Sequence, residues 1–209
     1  MFSVDNMSEK KKPSSSGSVA ERTAHIIRET KETKIDVSID LDGEGISDIT
    51  TPYPFFSHML TLLARHSMIN LTIKISGDLP HHVVEDCAIV LGQALLQALG
   101  DKVGIERYGS ADIPMDETLA TCVLDLSGRP YFVLDLKLVD PNVEAMASED
   151  LVHFFESFAL NAKMNLHIKV QYGNNMHHKV EACFKAMAHA LKRAIKVTST
   201  KLLSTKGSL

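Results

Sequence analysis

Two short segments carry residues able to do chemistry together: His81-His82-Val83-Val84-Glu85 and His177-His178-Lys179-Val180-Glu181. Residues four apart on a helix share a face, so His81 with Glu85, and His177 with Glu181, can each chelate one ion. His82 and His178 point about 100° away from those pairs and must serve a different ion. Two ions follow, each drawing a His/Glu pair from one half of the chain and a single His from the other. His58, in Phe55-Phe56-Ser57-His58, and His153, in His153-Phe154-Phe155, are candidates to fill the shells. They hold the same place in the two halves, each beside a Phe-Phe pair expected to pack inward. Three imidazoles and one carboxylate per ion suit Mn, Fe, Co or Zn, whereas Mg and Ca prefer oxygen shells. A single HHxxE segment is more often a polar helix end in solvent than a metal site. Two matched copies, each with an upstream His, shift the balance to metal.

The elements that must position these groups repeat as well. Asn70-Leu71-Thr72-Ile73-Lys74-Ile75 precedes the first copy and Asn165-Leu166-His167-Ile168-Lys169-Val170 the second. Alternation predicts strands over Thr33–Leu41, Leu71–Ile75, Cys122–Leu126, Tyr131–Leu138 and Leu166–Val170, with a turn at Ser127-Gly128-Arg129-Pro130. Helical spacing predicts helices over Phe55–His66, Val84–Leu99, Leu151–Ala162 and Val180–Val197. Each half therefore reads helix, strand, loop with His-His, long helix: an α+β chain made by tandem duplication of a half-domain. Residues 1–20, with a lysine run and a serine-rich stretch, are expected to form a disordered polar tail. Residues 21–209 are expected to form one domain of two related halves, about 21–105 and 106–209.

The 209 residues suit one ordinary domain. A formal charge of −4 argues against a general nucleic-acid binder. No apolar run approaches the roughly 20 residues of a membrane helix. Cys87, Cys122 and Cys183 are scattered and odd in number, which points to a reducing, cytoplasmic setting without disulfides. Six of the ten histidines belong to the metal constellation. Of the others, His25 and His189 are expected to face solvent and His167 to be structural. His66 either lines the site or is buried and hydrogen-bonded, and is kept as a substrate-binding candidate.

Over residues 22–209 the chain resembles the imidazoleglycerol-phosphate dehydratases of histidine biosynthesis. The resemblance rests on ordered motifs: Arg28-Glu29-Thr30-Lys31-Glu32-Thr33, Phe56-Ser57-His58-Met59-Leu60, His81-His82-Val83-Val84-Glu85-Asp86 and Met115-Asp116-Glu117-Thr118. It continues through Leu126-Ser127-Gly128-Arg129-Pro130, His153-Phe154-Phe155, His177-His178-Lys179-Val180-Glu181 and Ser204-Thr205-Lys206-Gly207. It implies a ribosomal S5 domain 2-like fold packed into a symmetric shell of 24 identical subunits. It also implies two Mn2+ ions per active site at subunit contacts. One ion would take His58, His82, His177 and Glu181, the other His81, Glu85, His153 and His178. Glu32 would be the catalytic carboxylate. Arg107, Arg129, Lys185, Ser204 and Lys206 would hold imidazole glycerol phosphate, chiefly by its phosphate. The chain departs from the family in three places. A shorter approach, Gly77-Asp78-Leu79-Pro80, replaces an Asp-Asp pair, Val83 replaces a Thr, and Leu62 replaces a Gln. Lost outer groups typically weaken metal affinity or activity by roughly 10–100-fold, so a weaker site or compensating residues are expected.

The chemistry implied is loss of water to give imidazole acetol phosphate. Two Lewis-acidic ions would hold the substrate ring as an imidazolate, able to expel hydroxide and to acidify the next carbon. Glu32 would move the proton. Two other readings compete: a dinuclear phosphate-ester hydrolase, and a metal-binding shell protein without catalysis. The first normally leans on bridging carboxylates, which this His-dominated set lacks. The second has no use for Glu32.

Overall fold

Alternating residues build two four-stranded sheets in a computed structural model that describes residues 21–207. The tail expected over residues 1–20 lies outside the described residues. Strands β1 (Thr23–Glu29), β2 (Thr33–Asp40), β3 (Ser47–Thr50) and β4 (Asn70–Gly77) form the first sheet, in the order β1-β2-β4-β3. The second contains β5 (Tyr108–Met115), β6 (Thr118–Asp125) and β7 (Tyr131–Asp135). A small ladder of β8 (Asn142–Val143) and β9 (Met146–Ala147) precedes its last strand, β10 (Asn165–Tyr172), and its order is β5-β6-β10-β7. Both sheets have two antiparallel pairings and then a parallel edge.

The register also repeats. Asp40 pairs with Asn70 in the first sheet, and Asp125 with Asn165 in the second. Arg28 lies opposite Ile35, and Ile113 opposite Ala120. In this shared frame Glu32 corresponds to Glu117, Thr33 to Thr118 and Arg28 to Ile113.

All five predicted strands are present, although the one expected over 131–138 ends at Asp135. The turn after β6 makes no hairpin: β10 lies between β6 and β7, and β7 runs parallel to it. Strands β1, β3 and β5 were not foreseen. All three are sheet edges. An edge strand tolerates Gly109 and Pro114, which blur the alternation in β5. Gly109 is needed there, because a Cβ would lie 1.9 Å from the Ala190 carbonyl oxygen.

Four helices are described: α1 (Pro54–Ser67), α2 (Pro80–Leu99), α3 (Ser148–Asn161) and α4 (Met176–Ala194). Both His-His pairs, expected in loops, lie in first helical turns. Pro80 opens α2, where a missing N–H costs nothing, and Asn175 caps α4 by accepting from the His178 N–H at 3.2 Å. Helix α2 is long and apolar enough to cross a membrane, contrary to the sequence estimate, but most of its apolar stretch is buried in the protein interior. It is the core helix of the first sheet.

The helices lie between the sheets. Helix α2 packs on β1, β2 and β4, and α4 on β5, β6 and β10. Across the middle, α2 packs on α3 and α1 on α4. Gly92 permits the α2–α3 approach, since a Cβ there would come within 2.8 Å of the Phe158 carbonyl oxygen. Phe56 of α1 meets Phe154 of α3 edge-on at 5.6 Å, and Phe154 stacks on Phe184 of α4 at 5.1 Å. All three are fully buried. Truncating Phe154 to Ala removes the ring that joins these helices. It is expected to cost about 3–5 kcal/mol of stability, read from denaturant unfolding.

Candidate metal centre

The crosswise helix packing assembles two triads, each from both halves of the chain. Helix α1 brings His58 to His177 and Glu181 of α4, and α3 brings His153 to His81 and Glu85 of α2. In each triad the potential ligand atoms lie within 4.8 Å of one another. His177 Nε2 stands 3.2 Å, and His58 Nε2 3.5 Å, from Glu181 Oε2. His81 Nε2 is 3.6 Å from Glu85 Oε2, and His153 Nε2 is 3.3 Å from Glu85 Oε1. The imidazoles of His81 and His153 stack at 5.2 Å. Of the expected Phe-Phe pairs, Phe154 and Phe155 are buried, but Phe55 is only half-buried and lies 5.0 Å from the His177 ring.

Four carboxylates fix the tautomers of the paired histidines. His81 Nδ1 donates to Asp150, His177 Nδ1 to Glu144 and His82 Nδ1 to Asp78, each at 2.8 Å, and His178 Nδ1 donates to Glu117 at 2.7 Å. A carboxylate only accepts, so each ring donates through Nδ1 and turns Nε2, the atom a metal would use, away from that carboxylate. The hydrogen bond to Asp78 raises the pKa of His82 against a burial effect of opposite sign, and Glu117 does the same for His178. At Glu181, burial favours the neutral acid, but the Lys185 and His177 contacts outweigh it and lower the pKa. None of the four carboxylates was foreseen in this role. Only Asp78, four residues before His82, left a sequence signal. It comes from the shortened approach to α2, so that departure from the family pattern still supplies an outer carboxylate. Val83 is fully buried in the core, and Leu62 packs partly against it.

His82 and His178 belong to neither triad. Each is turned away from its neighbour in the motif, as the helical spacing requires, and each faces a carboxylate-lined turn. His178 meets the β5–β6 turn, where Asp116 Oδ2 is 3.6 Å from Nε2. His82 meets the β1–β2 turn, where Glu32 Oε2 is 4.0 Å from Nδ1.

The two turn carboxylates, equivalent by register, differ in their engagement. Glu117 accepts from the backbone N–H groups of Asn175 at 2.8 Å and Asn174 at 3.0 Å, and from His178. The Asn175 N–H, then His178 and the Asn174 N–H, hold its carboxyl far below the usual range. Among the described residues no hydrogen bond holds the exposed Glu32 carboxylate. Its backbone is nonetheless fixed: Thr30 Oγ1 accepts from Glu32 N at 3.1 Å, and the Glu32 carbonyl accepts from Asp78 N at 3.1 Å. Of the two, only Glu117 has its carboxylate held by backbone N–H groups.

The other candidates fall into separate places. Arg107, Arg129, Ser204 and Lys206 line one cavity of about 620 Å³ beside the C-terminal segment, and no triad residue lines it. Within it Arg107 is bidentate to Asp125, at 2.6 and 3.0 Å, and donates to the Leu203 carbonyl at 2.5 Å, which docks that segment. Arg129 and Lys206 are exposed. Lys185 stands apart, with Nζ 2.6 Å from Glu181 Oε1. His66, two turns beyond His58 on α1, sits outside the triads and half-buried against His189 at 5.3 Å. Burial, then the neighbouring His189, lowers its pKa. His189 is thus half-buried and not solvent-facing, whereas His25 and His167 are exposed.

Residues 51–191, which include both triads, match the family model of imidazoleglycerol-phosphate dehydratase. The imidazoleglycerol-phosphate dehydratase of Methanococcoides burtonii is 54% identical over 191 residues, covering 90% of this chain and 100% of that protein. The crystal structure of the Staphylococcus aureus enzyme superposes with a TM-score of 0.78 at 41% identity, covering 84% of this chain and 99% of that one. The Pyrococcus furiosus enzyme, solved in complex with (S)-C348, gives 0.76 at 36% identity, covering 88% and 100%. With its paired His/Glu triads, and with relatives aligned over nearly their whole length, this chain belongs to the imidazoleglycerol-phosphate dehydratase family.

Proposed function

We propose that the protein removes water from imidazole glycerol phosphate to give imidazole acetol phosphate, a step of histidine biosynthesis, and that it does so with two Mn2+ ions per active site. The observation that carries this reading is the pair of triads, in each of which one ring, His81 or His177, is oriented by a carboxylate at Nδ1 and turns Nε2 to the other two ligands. Imidazole donors with one carboxylate suit a borderline transition metal and leave room for a substrate imidazole. Bound ions would act as Lewis acids on the ring nitrogens of the substrate. The chain's own residues do the rest. Arg129, Ser204 and Lys206 anchor the phosphate through charge-assisted hydrogen bonds, while Arg107 fixes the segment that carries two of them. Glu32 takes the proton from the carbon beyond the departing hydroxyl. Holding both ends of the substrate sets the reacting carbons against Glu32.

The reading includes assembly. Among the described residues each triad lacks a fourth ligand, the half-buried His82 and His178 have no triad, and the phosphate cavity contains no triad residue. All three are supplied if neighbouring copies of the chain share sites: His82 of one copy completing His58, His177 and Glu181 of another, and His178 completing His81, Glu85 and His153. A closed shell of 24 copies accommodates this. The matching sheets and registers support an origin by duplication of an S5 domain 2-like half. Three buried free thiols fit a cytoplasmic enzyme. The test is metal analysis of the purified protein alongside turnover of imidazole glycerol phosphate. About two Mn per chain, with turnover that vanishes on chelation and returns with Mn, is the expected result. Turnover by metal-free protein would overturn the reading.

A further inference from the structure

Behind the Glu32 turn lies a buried polar group that the reaction does not use. Asp86 follows the triad residue Glu85 on α2 and is 7% exposed. One of its oxygens is ion-paired with the Arg28 guanidinium from β1, and the other accepts from the Thr33 hydroxyl of β2. Thr33 Oγ1 lies 3.3 Å from Thr30 Oγ1, which also accepts from the backbone N–H groups of Glu32 and Thr33 at 3.1 and 3.0 Å. A continuous chain of hydrogen bonds therefore runs from α2, one residue from a triad carboxylate, to the backbone of Glu32.

The second half shows that the fold can do without it. Asp86 follows Glu85 as Ala182 follows Glu181, and Arg28 occupies the register position of Ile113. There the same hairpin packs on the same helix through Ala182, which is fully buried, and Ile113, which packs against the core. A buried ion pair commonly stabilises no better than apolar residues of similar volume. The polar version occurs in the half whose turn carries the unengaged carboxylate.

We infer that Arg28 and Asp86 are positioning residues that hold the Glu32 turn at a set distance from the metal centre. The inference rests on the proposed role of Glu32 as the base. The test replaces the pair by its counterparts, Arg28→Ile with Asp86→Ala, alone and combined with Glu32→Gln. An ångström of misplacement can cost about 10²-fold in rate. The pair variant is therefore expected to lose about that much in kcat, with KM, metal content and assembly near wild type. Adding it to Glu32→Gln is expected to cost nothing further, because a group acting only through Glu32 has no effect once the base is gone. Thr33→Val, which cuts the chain of hydrogen bonds but keeps the ion pair, is expected to lower kcat in the same direction. It keeps the idea testable if the pair variant folds poorly. Wild-type kcat in the pair variant overturns the inference, as does a loss that multiplies with that of Glu32→Gln, or a loss of metal or assembly in the folded variants. Wild-type turnover in Glu32→Gln alone would instead remove the base assignment, and the positioning role with it.

Discussion

Glu32→Gln is expected to lower kcat by about 10²–10⁴-fold, the range that general acid–base groups supply. The substitution keeps the size of the side chain and its capacity for hydrogen bonds but removes the basic oxygen. Among the described residues no hydrogen bond reaches that oxygen, and the turn is held by its backbone and by Thr30. Metal content, assembly and substrate binding should therefore stay at wild-type levels. The comparison to make is Glu117→Gln. Glu117 accepts two backbone N–H groups and the His178 imidazole, so its loss should loosen the start of α4 and reduce metal loading. A Glu32→Gln enzyme with near wild-type kcat would move the base elsewhere in the site, with Asp116, exposed beside His178, as the next candidate.

The second large effect belongs to the histidines outside the triads. In the double variant His82→Ala, His178→Ala, each triad keeps its three ligands but loses the fourth that a neighbouring copy would bring. Metal loading is expected to collapse, and the assembly with it, because ligands from two chains couple binding to association. Elemental analysis and sedimentation read the two losses together. Complementation gives a sharper version. Chains bearing His82→Ala and chains bearing His177→Ala are each expected to be inactive at the centre built on Glu181. Co-assembled, they regain a fraction of sites, wherever an intact triad meets an intact His82. Normal metal content in the double variant, or no recovery on mixing, would show that the sites are not shared in this way.

How far the sequence revealed the centre depends on the range of each interaction. The i,i+4 pairing of His81 with Glu85 and of His177 with Glu181 is local, and helical geometry alone specifies it. That His82 and His178 must face elsewhere follows from the same periodicity. The strands that alternate cleanly, β2, β4, β6 and β10, are the central ones, whose inner faces pack on helices. Among the edge strands, β3 is short, β5 is broken by Gly109 and Pro114, and β1 sets Ile26 beside Ile27 so that its alternation is blurred, because an edge constrains them less. Long-range partners left no trace. Asp150 and Glu144 reach their imidazoles only because α3 and the β8–β9 ladder fold back onto the long helices. Nothing in their spacing announces it. The difference between Glu32 and Glu117 was equally hidden, since it depends on which backbone N–H groups end up beside each turn. The same holds for Asp86: a lone acid after Glu85 gives no sign of being buried until β1 and β2 are laid over it.

The exchange of helices between halves has a consequence for ancestry. Because α1 packs on α4 and α3 on α2, each triad is already a composite of one half's upstream helix and the other half's long helix. A chain consisting of the first half alone could reproduce this by pairing with its twin. His58 of one molecule would then stand beside His81 and Glu85 of the other, and the reverse, giving two identical centres about a true twofold axis. If the chain arose by the proposed duplication, metal chemistry would not have had to wait for the gene to double. Doubling would have tied the twins together and freed them to diverge, so that one hairpin could keep a loose carboxylate over a polar anchor while the other settled into an apolar one.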